Sequence, residues 1–231
     1  MIRLSDIFRD FMERGRQLTE LFQLKRPPIA IGVNETPPRN LTKLDGKMAF
    51  CQMWKRALDG EAFFATADNH DCLTGKYYLG LIGENAREAV CNFLVNQVRA
   101  FESREVVKRY LSNFPMLKPG QLKTACISPL DAVSFKPDIV IIVCNSEQAM
   151  PLLWAYSYDF GEPVRGYTGT ATCRSTFIEP YLTGKPSFSL GDPGGRYIIK
   201  LTSGEVVVSI PAKLFRRIVE NLSVRISDWT P

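Results

Sequence analysis

Three cysteines stand where a chain can turn a side chain toward a ligand. Cys51 falls near the first turn of a helix expected over residues 47–58. Cys72 closes the polar stretch Asp68-Asn-His-Asp-Cys72, and Cys173 ends the segment Gly166-Tyr-Thr-Gly-Thr-Ala-Thr-Cys173. Thiolates are soft donors, so groups placed this way could meet at a metal or an iron–sulfur cluster, or act as redox or nucleophilic thiols. The remaining cysteines are scattered, and Cys91 and Cys144 lie beside or within apolar stretches and read as small buried hydrophobes. No Cys-x-x-Cys occurs, so zinc-ribbon and thioredoxin patterns are absent.

A second chemistry is carried by glycine. The segment Gly166–Cys173 and the nearby Ser189-Leu-Gly-Asp-Pro-Gly-Gly-Arg196 offer backbone N–H groups at Gly169, Thr170, Thr172, Gly194 and Gly195 that a ligand can approach closely. With the Arg196 guanidinium they would suit an anion or a cofactor. Glycines that only permit tight turns explain the same residues equally well. Neither segment matches Gly-x-Gly-x-x-Gly or the Walker pattern, so no nucleotide is indicated.

These residues need a scaffold, and the apolar periodicity supplies one. Leu4, Ile7, Phe8, Phe11, Leu18, Leu21 and Phe22 recur at helical spacing, giving an amphipathic helix over residues 4–24 that docks on the body and ends at Lys25-Arg-Pro-Pro28. Strands are expected at 28–33, 63–66, 124–127, 138–144, 164–167, 186–190 and 205–210. Residues 34–45 and 68–72 read as loops. Helices are expected at 47–58, 84–101, 103–113, 146–159, 172–182 and 212–222, with Asn145 and Gln148 placed as a capping box and Pro211 opening the last. The succession predicts a single α/β or α+β domain over residues 25–231, a mixed sheet flanked by helices, with residues 1–24 packed on it. Loops after strands would then bring Cys144, the 166–173 segment and the 191–196 segment together. No internal repeat or low-complexity linker is evident.

Composition bounds the function classes. The 231 residues are 45% hydrophobic and 11% aromatic, enough for a substantial core. The longest apolar run, Ile139-Val-Ile-Ile-Val-Cys144, is far short of the roughly 18 residues of a membrane span, and the N-terminus is charged. A cytoplasmic protein with no membrane partner is expected. The net charge of +5 is spread along the chain without a Lys/Arg block, which argues against nucleic acid and favours a small-molecule ligand.

Pro27-Pro-Ile-Ala-Ile31, Phe50-Cys-Gln52, Asp71-Cys72 with Gly75 and Leu79-Gly80, Thr170-Ala-Thr-Cys173, Ser189-Leu-Gly191 with Gly194 and Arg196, and Ile210-Pro211 lie in that order between about Leu24 and Leu222. In this order they resemble the uncharacterised ArCR family, domain of unknown function 169, of archaea and anaerobic bacteria. The resemblance implies a shared site of Cys51, Cys72, Cys173 and the 189–196 segment. It also implies that many relatives carry a cysteine where this chain has Asp192, completing a four-cysteine set suited to an iron–sulfur cluster or a metal. A carboxylate is a harder ligand than a thiolate. Asp192 could be the fourth metal ligand, could leave one iron open to a substrate, or could mark a site that has lost its cluster.

Other residues carry weaker signals. His70, the one histidine, reads as a solvated loop residue that could serve as a ligand or proton shuttle. Trp154 and Tyr158 share a helical face and are expected to pack in the core. Two functions remain: a cofactor- or metal-binding protein built on Cys51, Cys72, Cys173 and the 189–196 loop, or a small-anion binding protein or enzyme using Arg196 and the Gly166–Cys173 loop. Neither protein partners nor catalysis can be read from these residues.

Overall fold

A computed structural model describes residues 3–229. The strands are β1 (Ile29–Asn34), β2 (Thr42–Lys43), β3 (Phe63–Thr66), β4 (Thr124–Pro129), β5 (Ile139–Asn145), β6 (Arg165–Gly166), β7 (Ser187–Ser189) and β8 (Glu205–Pro211). They form one mixed sheet in the order β2-β3-β4-β1-β5-β8-β7-β6. The helices are α1 (Leu4–Phe22), α2 (Phe50–Leu58), α3 (Leu73–Tyr78), α4 (Arg87–Asn92), α5 (Arg104–Ser112), α6 (Ser146–Phe160), α7 (Glu179–Thr183), α8 (Pro193–Ile199) and α9 (Ala212–Trp229). Alternation along a strand sends successive side chains to opposite faces. In β5, Ile139, Ile141 and Val143 therefore join one core, and Val140, Ile142 and Cys144 the other. The second core is covered by α1, α6 and α9; the first by α2, α3, α4, α5 and α8. Among the described residues no helix is long and apolar enough to cross a membrane.

The sheet contains an internal two-fold repeat that the linear sequence does not reveal. Its order is unchanged when β1, β2, β3 and β4 are exchanged with β5, β6, β7 and β8. The sense of every pairing is also conserved: β2 and β3, like β6 and β7, are parallel, and the other neighbours are antiparallel. The register matches residue for residue. Ile29 faces Pro129 as Ile139 faces Pro211. Thr42 faces Phe63 as Arg165 faces Ser187. Phe63 faces Ile127 as Ser187 faces Ser209. At the centre Ala30 faces Val140, with Ile29 opposite Ile141 and Ile31 opposite Ile139, which is the pairing a dyad between two equivalent strands requires. On the first core, α2 corresponds to the helical turn Arg174–Ile178, and α3 to α8.

Several expectations change. The helix expected at 84–101 is instead a 3₁₀ turn, α4 and the π-helical turn Phe93–Gln97, and it stops before Arg99, whose φ of +54° cannot continue a helix. Short β2 lies inside the expected loop; its two exposed residues give no apolar pattern. Helices α3 and α8 fall in stretches where no helix is expected, α8 overlapping the 189–196 loop. The sheet is largely antiparallel, so strand ends alternate between its edges and do not gather ligand loops on one side. Cys144 accordingly faces the second core, away from Cys51 and Cys173. Trp154 and Tyr158 are about half exposed on the outer face of α6, because the residues of α6 that meet the sheet are Ala149, Leu152, Ala155 and Tyr156.

Candidate functional site

The pseudo-dyad brings together side chains far apart in sequence. Cys51 is the second residue of α2 and Cys173 immediately precedes the Arg174–Ile178 turn; these are equivalent positions, each following an alanine by two residues. Cys72 caps α3, its sulfur accepting from the Gly75 N–H at 3.4 Å. Asp192 caps α8 in the same way, Oδ1 accepting from the Gly195 N–H at 2.9 Å. The match continues along both helices, Cys72-x-x-Gly75-Lys76-Tyr77 against Asp192-x-x-Gly195-Arg196-Tyr197. Contact between α2 and α8, and between the 174–178 turn and α3, crosses from one half to the other. Each half thus supplies one helix-start thiol and one cap group, and all four line a single cavity of about 480 Å³.

These groups act on one another electrostatically. Burial, then the nearby Cys72 and Asp192, push the Cys51 thiol up to about 12. Burial, then Cys72, Cys51 and Asp192, raise the Cys173 thiol well above its usual range. Taking charge out of water disfavours thiolates, and neighbouring negative charge disfavours them further. A bound cation reverses both effects by supplying the missing positive charge.

The two cap groups differ in one respect. Thr172 donates from its backbone N–H at 2.7 Å, and from its hydroxyl, to Asp192 Oδ2, and Thr172 Oγ1 accepts from the Asp192 N–H at 2.9 Å. Both carboxylate oxygens are therefore hydrogen-bonded to protein. Phe50 stands where the other half has Thr172, so Cys72 has no such clamp. Glycine is required at 195, where an added Cβ would lie 2.3 Å from Thr172 Oγ1 and 2.8 Å from Asp192 Oδ2.

The outer wall comes from the segment between α3 and β4, which has no counterpart in the second half. Phe93, Leu94, Val98, Arg99 and Ala100 close over the cavity. Tyr110 on α5 fixes the 166–173 segment, its hydroxyl accepting from the Thr170 N–H at 3.0 Å. This close approach needs glycine at 169, where a Cβ would sit 1.9 Å from the Tyr110 oxygen. The Thr170 hydroxyl is buried without a hydrogen-bond partner, and Thr170 lines the cavity.

Of the residues singled out by sequence, Cys51, Cys72, Cys173, Asp192, Gly169, Thr170, Thr172, Gly194 and Gly195 all line this cavity. Arg196 is not among its lining residues; its guanidinium donates to the carbonyls of Leu190, Glu205 and Thr202 and so fastens the loops on either side of α8. His70 is not solvated but buried against the Phe50 ring, 5.5 Å between centroids. Burial and the nearby Lys76 lower its pKa to about 4, keeping it neutral. Among the described residues no group of three or more His, Cys, Asp or Glu side chains is arranged to hold a metal ion. Sequence reasoning missed the caps themselves and the 93–100 wall. Asp192-Pro193, a capping residue followed by proline at the first helical position, was the signal for α8.

No solved structure gives a significant match to the chain. An uncharacterised protein of Methanocaldococcus jannaschii is 25% identical over 227 residues, covering 96% of this chain and 97% of that protein. The family model described as uncharacterised ArCR, domain of unknown function 169, matches residues 17–221, and the chain belongs to that family.

Proposed function

We propose that the protein binds an iron–sulfur cluster at the pseudo-dyad, held by Cys51, Cys72 and Cys173. The observation that carries this reading is the convergence of three unpaired thiols and a carboxylate, two groups from each half, on one cavity. A single ion needs its ligands within one small coordination sphere, and the described side chains are not so arranged. A cluster presents separate irons to separate thiolates, so its ligands stand farther apart. The unpartnered Thr170 hydroxyl fits the same group, because cluster sulfides accept hydrogen bonds. When bound, a cluster would supply one-electron transfer or a Lewis-acidic iron. The protein's own part is to place three soft donors, to hold the Cys51 and Cys173 thiols above their usual range by burial so that a cation favours their ionisation, and to cover the site with Phe93, Leu94 and Val98. The small-anion reading loses its main donor, since Arg196 is taken up by backbone carbonyls.

The test is iron and acid-labile sulfide analysis, with an absorption spectrum, on protein purified without oxygen. Stoichiometric iron and sulfide, lost in Cys51→Ala and Cys173→Ala, is the expected result. Colourless protein free of both, with folding unchanged in the two variants, would sink the reading.

A further inference from the structure

Resting on the cluster reading, we infer that Asp192 is a latch and not a ligand, and that the iron beside it is an open site for a small carboxylate. The argument comes from comparing the two halves. Cys72 and Asp192 occupy equivalent caps, so a fully symmetric site would have four protein ligands. The Asp192 carboxylate, however, already accepts from Thr172 N, Thr172 Oγ1 and Gly195 N. Swinging it onto an iron would strip the Thr172 and Gly195 donors of their partner, and a carboxylate is a poorer match than thiolate for cluster iron. A cluster held by Cys51, Cys72 and Cys173 would therefore have one iron without a protein donor.

The cavity indicates what would fill it. Phe93, Leu94, Val98 and Ile198 make an apolar wall suited to a hydrocarbon body. Arg99 also lines the cavity, held at φ +54°, and its guanidinium has no ion-pair partner among the described residues. An anionic oxygen donor with a short apolar chain satisfies the open iron, the guanidinium and the wall together. Substrate coordination at the cluster, with Arg99 holding the carboxylate, is the role assigned.

The experiment uses full-length protein reconstituted with iron and sulfide under anaerobic conditions. Ferricyanide takes one electron from the cluster, and an iron lacking a thiolate then leaves as Fe²⁺, giving a three-iron cluster with its own EPR signal. Wild type is expected to lose one iron, Asp192→Cys to keep it, and Asp192→Asn, whose amide oxygen can still accept from Thr172 although the acceptor for Gly195 is lost, to bind a full cluster and lose one iron like wild type. Butyrate is expected to shift the EPR spectrum of the reduced wild-type cluster, with an apparent affinity about tenfold weaker in Arg99→Ala and no shift in Asp192→Cys. Loss of the cluster in Asp192→Asn, an iron as labile in Asp192→Cys as in wild type, or no response to butyrate would overturn the inference while leaving a cluster protein. Absence of iron and sulfide from reconstituted wild type would instead remove the cluster reading itself.

Discussion

Alkaline titration of metal-free protein tests whether Cys51 sits in the environment described. Its thiol goes from the usual 9.0 to about 12 on folding. A raised folded pKa means that the native state keeps a proton the unfolded chain releases, so the stabilisation is fully present below pH 9 and is lost as pH rises toward 12. Between pH 8 and pH 10 a single such thiol removes about 1.4 kcal/mol, an amount set almost wholly by the unfolded value because the folded one lies well above pH 10. Cys51→Ala lacks this term. Its destabilisation relative to wild type should therefore shrink by about 1.4 kcal/mol between the two pH values, whatever packing it costs at pH 8. Cys126 and Cys144, also pushed up to about 12 by burial, titrate in both proteins and cancel. Urea unfolding followed by circular dichroism, with reductant and chelator present, gives the four free energies. A gap of the same size at pH 8 and pH 10 would refute the burial of Cys51 beside Cys72 and Asp192.

Four further outcomes follow from individual contacts. His70 is the one histidine, so its ring proton NMR signals are unambiguous; they should titrate near pH 4, and a midpoint between 6 and 7 would place the ring in solvent. Because that pKa is lowered, His70 costs stability as pH falls below its unfolded value of 6.5, and His70→Phe should flatten the loss between pH 6.5 and 4. Gly195→Ala forces a Cβ against Thr172 Oγ1 and Asp192 Oδ2, and should cost about 1–3 kcal/mol in urea unfolding. Arg196→Ala removes donors from three carbonyls at a half-buried position; a loss of about 1–3 kcal/mol, with phosphate giving no protection to either protein, is expected, and phosphate protection lost in the variant would restore the anion reading.

The layered fold was legible because its central strands are long and apolar and its large helices have one apolar face. Residues 139–144 and the Asn145–Gln148 capping box are examples. The candidate thiols were legible from their setting alone. What stayed hidden was short or depended on other parts of the chain. Helices α3 and α8 have six and seven residues, too few for periodicity to emerge, so their start signals were the only evidence. The π-helical turn at 93–97 breaks a pattern that looks continuous in sequence, because the core-facing stripe continues while the chain bends to form the cavity wall. His70 looked solvated since its neighbours in sequence are polar; Phe50, which buries it, comes from another helix.

The internal repeat was hidden for a different reason. It survives in pairing register and in a few matched residues: Ala49-x-Cys51 with Ala171-x-Cys173, Pro27-x-Ile29 with Pro137-x-Ile139, and the two capped turns. Strand register is preserved because a one-residue slip would turn an entire apolar set to the wrong face. Side-chain identity away from the core has no such constraint. The spacing between matched residues is further disrupted by the α4–α5 segment in the first half and by α6 in the second. Those departures from symmetry fall around the cavity. The α4–α5 segment walls one side with apolar groups and Arg99, while Thr172 locks Asp192 where the other half offers a free thiol. Two equivalent halves would offer four like donors; the asymmetry instead leaves three thiols, a latched carboxylate and an apolar wall on one side of the cavity.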